Sequence, residues 1–129
     1  DLELFSNQLT GEIPLIIWRI KSLEHLLVYN NSLSGELPLE MTQLRQLKNI
    51  SLFRNQFSGV IPQSLGINSS LVPLDFTSNK LTGNIPPDLC FGKKLNILNL
   101  GINQLQGSIP PEVGSCTTLR TPKDNSSTK

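Results

Sequence analysis

The stretch Leu98–Pro110 reads LNLGINQLQGSIP, and the pattern Leu-x-Leu-x-x-Asn-x-Leu-x-Gly-x-Ile-Pro occurs four more times upstream, with other apolar residues at some leucine positions. The recurring asparagines stand 24 residues apart, at Asn7, Asn31, Asn55, Asn79 and Asn103. A glycine follows each asparagine by four residues, at Gly11, Gly35, Gly59, Gly83 and Gly107. A fixed period of this length indicates a solenoid in which each repeat stacks on its neighbours.

Each repeat places apolar residues eight, five and three positions before its asparagine, as with Leu47, Ile50 and Leu52 before Asn55. The last two alternate with polar residues, which predicts a short half-buried strand. Successive strands run in the same direction after a crossover, so the sheet is parallel. Each crossover begins at a proline, a residue suited to the first helical position, which predicts short α or 3₁₀ turns on the convex side. The predicted fold is an α/β, right-handed parallel-β solenoid of leucine-rich repeats.

The repeated polar and glycine positions have mechanical explanations. An asparagine tolerates tight turn dihedrals, and its amide both donates and accepts hydrogen bonds. We expect the five asparagines to point inward after each strand and to form a ladder of hydrogen bonds to backbone groups. We expect each glycine to provide a backbone dihedral or a close backbone approach that a Cβ atom would block.

Residues 1–119 are predicted to form about five repeats that begin and end without a polar cap, as in a segment of a longer solenoid. Such ends leave the apolar residues of the terminal repeats exposed or nearly exposed. We expect this of Leu2, Leu4, Leu9 and Ile13 at one end, and of Leu105, Ile109 and Val113 at the other. Residues 120–129 are polar, charged and rich in serine, which predicts a disordered tail.

The composition of the 129-residue chain argues against several classes of function. A net charge of +1 gives no electrostatic footprint for nucleic acid or an anionic membrane. The longest apolar run, Leu15–Trp18, is far shorter than a transmembrane helix, and no targeting signal is recognisable. His25 is the only histidine, and no nucleophile or carboxylate pair accompanies it in a known motif. We therefore expect a non-catalytic protein without a metal or cofactor.

Side chains that alternate with the buried strand residues form columns on the predicted concave face. The column two residues before each asparagine contains Phe5, Tyr29 and Phe53, about 5 Å apart at the strand spacing. Aromatic side chains are effective anchors for an extended peptide. The predicted peptide-binding residues are Phe5, His25, Leu27, Tyr29, Ser51, Phe53, Asp75, Thr77 and Asn99. The alternative, left open, is that the aromatic residues only stack on one another and stabilise the sheet.

Four Asn-x-Ser sequons are typical of a protein of the secretory pathway. They begin at Asn30, Asn49, Asn68 and Asn125. Asn68 lies on the convex crossover and is the best candidate for a glycan. Asn30 and Asn49 lie on or beside the concave face, where a glycan would obstruct a ligand, and their modification is left open.

Cys90 and Cys116 fall on the convex side of adjacent repeats, 11 and 13 residues after their asparagines. One repeat separates them along the solenoid by about one strand spacing, roughly 5 Å, so a disulfide is feasible. The residues alone leave a second possibility, in which two buried thiols pack as small hydrophobic groups.

The consensus Leu-x-x-Leu-x-Leu-x-x-Asn-x-Leu-x-Gly-x-Ile-Pro, over residues 1 to about 120, resembles the plant-specific leucine-rich repeat of receptor-like kinase ectodomains. Within that family, four stretches resemble the receptors for plant elicitor (danger) peptides, namely Trp18–Leu23, Leu26–Tyr29, Gly66–Leu71 and Leu89–Gly101. The resemblance implies a non-catalytic fragment of an ectodomain, secreted or at the extracellular face of the plasma membrane. It further implies an extracellular peptide ligand and a kinase co-receptor. Because related ectodomains often carry this cysteine pairing in an oxidising compartment, it favours a Cys90–Cys116 disulfide.

Two other functions are compatible with the repeats. One is a secreted leucine-rich inhibitor of cell-wall-degrading enzymes, which would bind a folded protein. The other is a truncated gene product without a binding function. The complete reading frame would distinguish them, since a transmembrane helix and a kinase downstream would indicate the receptor.

Overall fold

The computed structural model describes residues 1–119 and confirms a parallel-β solenoid of about five turns. Each repeat contributes one strand to each of two five-stranded sheets. The first sheet consists of β1 (Leu2–Glu3), β3 (His25–Leu27), β5 (Asn49–Ser51), β7 (Pro73–Asp75) and β9 (Ile97–Asn99). The second sheet consists of β2 (Thr10–Glu12), β4 (Ser32–Glu36), β6 (Gln56–Val60), β8 (Lys80–Gly83) and β10 (Gln104–Leu105).

The first sheet follows the 24-residue period, since Leu2 pairs with Leu26 and Leu26 pairs with Ile50. Interstrand hydrogen bonds continue beyond the strands as far as the asparagines, where the Asn31 N–H donates to the Arg54 carbonyl at 3.2 Å. Along β3, β5 and β7, the inward residue is completely buried and its neighbours are partly exposed, whereas the inward residues Leu2 of β1 and Leu98 of β9 are partly buried. Stacking the repeats therefore joins these inward residues into one continuous apolar core.

The second sheet was not predicted, since the repeat pattern indicates a single strand in each repeat, before its asparagine. Its strands lie in the segment that follows each asparagine and leads to the repeat glycine. Polar residues and glycine make this extended segment hard to recognise, because glycine and several polar residues are depleted in strands. Cα partners here are 22 residues apart, as for Gly11 with Leu33 and Gly59 with Leu81. The pairing distance in the second sheet is therefore two residues shorter than the 24-residue period of the sequence. The single apolar residue of this segment, such as Leu33, is buried in the core.

The short helical turns predicted for the crossovers are present. The 3₁₀ helices Ile17–Arg19 and Leu39–Gln43 and the α-helix α1 (Pro111–Gly114) occupy three of the crossovers. The prediction that the repeat proline takes the first helical position is wrong, since Pro38 and Pro110 precede their helices in extended conformations. Their carbonyl groups instead accept the first turn's hydrogen bonds, at 3.1 Å for Pro38 and 3.0 Å for Pro110.

Exposure at the two ends of the solenoid differs. In the first repeat, Leu4 and Leu9 are exposed as expected, and in the fifth repeat so is Ile109. The expectation is wrong for Leu105 and Val113, which are buried because the partly buried Leu119 packs against the same core. The predicted tail, 120–129, lies outside the described residues. Among residues 1–119, no helix has the length and apolar character needed to cross a bilayer.

Candidate ligand-recognition face

The asparagine ladder fixes the backbone from which the outer side chains project. Asn55 Nδ2 donates to the Val28 carbonyl of the preceding repeat at 3.0 Å and to the Leu52 carbonyl of its own at 3.1 Å. Its Oδ1 accepts the Leu33 N–H at 2.9 Å. Asn31, Asn79 and Asn103 make equivalent hydrogen bonds in the second, fourth and fifth repeats. Each of these four asparagines therefore ties two repeats together through their backbones, whereas Asn7 bonds to the Phe5 carbonyl of its own repeat.

The tight dihedral that the prediction gave to the asparagine belongs to the residue before it. Each of these residues has a left-handed φ between 54° and 62°, at Ser6, Asn30, Arg54, Ser78 and Ile102. The side-chain amide of the asparagine holds the turn, while its neighbour absorbs the unusual dihedral. A polar residue or asparagine tolerates this region better than a β-branched residue, so Ile102 is the outlier of the set.

The repeat glycines combine a left-handed φ with close neighbours. A Cβ on Gly35 would stand 2.8 Å from Cδ of Glu12, and one on Gly59 would stand 2.8 Å from Cγ of Glu36. The φ angles are +98° and +79°. The expected backbone dihedral is therefore confirmed, whereas the expected close backbone approach is wrong, because the neighbours are glutamate side chains and Gly11 has no heavy atom within 4 Å of a built Cβ.

The outer face of the first sheet is the solvent-facing set of side chains at positions two, four and six before each asparagine. The strand register aligns one of its columns, because Leu27 pairs with Ser51 and Ser51 pairs with Asp75. Asn99 continues that column beside Asp75. His25 lies further along β3, opposite Asn49. The structure thus brings the predicted binding residues onto one surface.

The three aromatic rings of the column do not form one continuous stack. The Phe5 and Tyr29 rings are stacked, with centroids 4.7 Å apart and planes within 2° of parallel. Phe53 instead lies beneath the guanidinium of Arg54, whose Cζ is 5.9 Å from the ring centroid. Arg54 was missing from the predicted site, which was drawn from the positions two, four and six before each asparagine. A cation over an aromatic face adds about 0.5–1 kcal/mol at an exposed site.

The fourth and fifth repeats present a different surface. The Asp75 carboxylate accepts the Thr77 N–H at 3.0 Å, which fixes the carboxylate against its own strand end. Asn99 is exposed, and Gly101 contributes no side chain to the aromatic column. Within residues 1–119, neither Arg54 nor Asp75 takes part in an ion pair, because the two pairs formed are Arg19–Glu40 and Lys48–Glu24. The outer face therefore carries aromatic side chains in repeats one to three and none in repeats four and five.

The predicted modification sites lie in different settings. Asn68 is exposed in the crossover that follows Gly66. Asn30 and Asn49 are half-buried, and Asn49 lies within β5. The structure joins Cys90 and Cys116 in a disulfide with Cα atoms 5.9 Å apart. Among residues 1–119, no group of three or more His, Cys, Asp or Glu side chains is placed to hold a metal ion.

Comparisons with known proteins agree with this architecture. A family model described as Leucine Rich Repeat matches four segments, at residues 22–44, 46–67, 74–91 and 94–116. No curated protein sequence matches significantly. Among solved structures, the chain is similar to the PEPR1–AtPEP1 complex, with 59% identity over 92% of this chain and 17% of that chain, and a TM-score of 0.91.

Two further solved structures extend the comparison. One is the leucine-rich repeat ectodomain of the Arabidopsis receptor kinase HAESA with an IDA peptide hormone ligand, with 44% identity, 92% and 20% coverage and a TM-score of 0.86. The other is the plant peptide hormone receptor RGFR1 in complex with RGF2, with 39% identity, 92% and 19% coverage and a TM-score of 0.85. The matched regions are non-catalytic repeats. The chain spans a fifth or less of the length of each of these proteins.

Proposed function

Because the chain belongs to the leucine-rich repeat family, we propose that it is part of a plant receptor kinase ectodomain and binds an extracellular peptide on the concave, outer face of its first sheet. The observation that carries this proposal is the column of Phe5, Tyr29 and Phe53 on the solvent side of a rigid sheet, with Arg54 at its edge. Aromatic residues and arginine are the side chains most enriched at interface hot spots.

Stacking alone is an incomplete explanation of this column. It accounts for the Phe5–Tyr29 pair, whose parallel rings shield one another. It does not account for Phe53, which is partly exposed next to that pair under a cation that lacks an ion-pair partner within residues 1–119. A surface with aromatic anchors, a cation and a row of polar groups suits a ligand that offers both side chains and main-chain polar groups.

The similar structures support this choice of ligand and partner. Those of HAESA and RGFR1 contain peptide ligands, and a further HAESA structure contains a peptide hormone and the co-receptor SERK1. We extend this arrangement to the protein to which the chain belongs, as an extracellular, glycosylated domain of a membrane receptor with a kinase co-receptor. The resemblance to elicitor-peptide receptors makes plant defence the proposed signalling context.

The experiment is a titration of the chain with the AtPEP1 peptide, followed by the single variants Tyr29→Ala and Phe53→Ala. Each variant removes an aromatic anchor from the outer face. We expect each to weaken binding at least tenfold, the loss typical of a hot-spot residue with about 1.4 kcal/mol or more of binding free energy.

Phe91→Ala is the matched control, because Phe91 is an exposed aromatic residue in a crossover, away from the outer face. Its affinity is expected to stay within twofold of the unmodified chain. Thermal unfolding of all three variants separates loss of a contact from loss of the fold. Unchanged affinity in both Tyr29→Ala and Phe53→Ala would refute the proposed face, and no binding by the unmodified chain would refute the peptide assignment for this probe.

A further inference from the structure

We propose that the missing side chain at Gly101 forms an anchor gap, which a single apolar side chain of the bound peptide fills. The inference rests on the proposed function and adds where the ligand approaches the sheet most closely. In the column two residues before the asparagines, the other four repeats place Phe5, Tyr29, Phe53 and Thr77. At Gly101, the column stops at the backbone.

The gap is not a requirement of the fold. Gly101 does not have a positive φ, unlike the repeat glycines, and no heavy atom lies within 4 Å of the position a Cβ would take. A side chain would fit there without strain or collision. Gly83, in contrast, has a φ of +78° and would place a Cβ 2.9 Å from Val60. A glycine that the backbone does not need is consistent with space kept for another molecule.

The backbone around the gap is rigid. The Gly101 carbonyl accepts the Ser78 N–H at 3.0 Å and Asn103 Nδ2 at 3.1 Å. These bonds tie it to the neighbouring repeat and to the asparagine ladder. The position above Gly101 is therefore open space over a backbone held by two hydrogen bonds, so a ligand group that occupies it pays little to order the protein.

Apolar groups stand beside the gap. Ile102, the next residue, is 72% exposed in a left-handed conformation that is unfavourable for a β-branched side chain. The same position holds serine, asparagine or arginine in the other repeats, so the isoleucine carries strain that the turn itself does not need. Ile97, four residues before Gly101 at the start of β9, is also exposed. Strained backbone is found preferentially at binding sites, which favours a contact role for Ile102.

The surrounding polar groups indicate how the rest of the ligand runs. Asn99, two residues before Gly101, ends β9, and its partner Asp75 ends β7, about 5 Å away at the strand spacing. Thr77 follows β7 in the same way that Gly101 follows β9. An extended peptide crossing the strands would rest on the rings of the first three repeats and approach the sheet at the fifth. Its side chain would enter the gap while its main-chain amides face Asn99 and Asp75. The ligand class is thus a peptide with an apolar residue about 10 Å beyond the group that contacts Phe53, two strand spacings away.

The test is a graded filling of the gap, Gly101→Ala and Gly101→Phe, titrated with the AtPEP1 peptide. We expect Gly101→Ala to stay within about threefold of the unmodified affinity and Gly101→Phe to weaken binding at least tenfold. Neither variant is expected to lower the thermal midpoint, since the new Cβ meets no neighbour within 4 Å.

Gly114→Phe is the matched control, because Gly114 also has no heavy atom within 4 Å of a built Cβ but lies in α1, on the opposite side of the repeat. Its affinity is expected to be unchanged. Binding by the unmodified chain together with undiminished binding by Gly101→Phe would overturn the gap and leave the proposed function standing. Equal losses in Gly101→Phe and Gly114→Phe would also overturn it. Absence of binding by the unmodified chain would overturn the proposed function and this inference together.

Discussion

Replacing a central ladder asparagine, Asn55→Ala, should destabilise the solenoid far more than the same change at the first repeat. Asn55 is 5% exposed and makes three hydrogen bonds of 3.1 Å or shorter to buried backbone groups. Asn7 is exposed and donates to the Phe5 carbonyl of its own repeat at 2.9 Å. The two substitutions remove the same atoms from different depths of one ladder.

The magnitude depends on which backbone groups lose their partners. The Val28 carbonyl keeps a bond from Asn31, and the Leu52 carbonyl keeps one from Asn79, so each is left with one donor. The Leu33 N–H loses its bond to the Asn55 Oδ1 inside a buried strand. Three lost bonds at about 0.5–1.5 kcal/mol each, with one buried donor left unpaired, give a loss of about 3 kcal/mol. Asn7→Ala removes a single exposed bond and should cost about 0.5 kcal/mol or less.

The measurement is urea unfolding followed by circular dichroism and by the fluorescence of Trp18, the only tryptophan, which is 3% exposed. Asn55→Asp is the informative companion, because it keeps the acceptor for Leu33 but turns the donor into a second oxygen facing two carbonyls. It should destabilise at least as much as Asn55→Ala, since a buried carboxylate with one oxygen facing two carbonyl groups and no donor is costly. A loss below about 1 kcal/mol at Asn55, or equal losses at Asn7 and Asn55, would contradict the ladder argument.

Three further outcomes are expected. Gly66→Ala should destabilise the chain by several kcal/mol in urea unfolding, because Gly66 has a φ of +112° and a Cβ there would overlap the Asp88 carbonyl oxygen, whereas Gly114→Ala should be neutral; equal effects would contradict the backbone contact. Alkylation of the non-reduced protein should find no free thiol, and Cys90→Ala combined with Cys116→Ala should cost about 3.5 kcal/mol, since the disulfide closes a loop with a sequence separation of 26; labelled cysteines would refute the disulfide. Glycopeptide mass spectrometry of secreted protein should find a glycan on the exposed Asn68, and an unmodified Asn68 would count against that assignment.

The first sheet could be predicted from sequence because its signal is repeated and periodic. Apolar residues at fixed distances from Asn55 and its equivalents give both the strand and its register, and the observed 24-residue pairing follows directly. Columns on the outer face come from the same count, which is why Leu27, Ser51 and Asp75 fall in register. Periodicity alone gives no ring geometry, so the separation of Phe53 from the Phe5–Tyr29 stack could not be read from it.

The second sheet could not be predicted in the same way. Its segment offers one apolar residue between polar ones, followed by a glycine with positive φ, and these are the usual features of a turn. The two-residue displacement between its strands has no counterpart in the sequence period. The left-handed residue before each asparagine could not be predicted either, since residues as different as Arg54 and Ile102 stand at this position. The fold imposes this dihedral through the hydrogen bonds of the next residue.

Gly66 and Gly101 show how a glycine that the fold requires can be distinguished from a glycine on the proposed recognition surface. Gly66 has a left-handed φ and backbone from the next repeat against it, so the fold dictates its identity. Gly101 has neither constraint, and its carbonyl is already bonded to Ser78 and to the ladder. A side chain at this outward position would pack against no neighbour, so the residue type there can change without a loss of stability. The absence of a side chain at Gly101 is therefore better explained by what approaches the sheet from outside than by what lies beneath it.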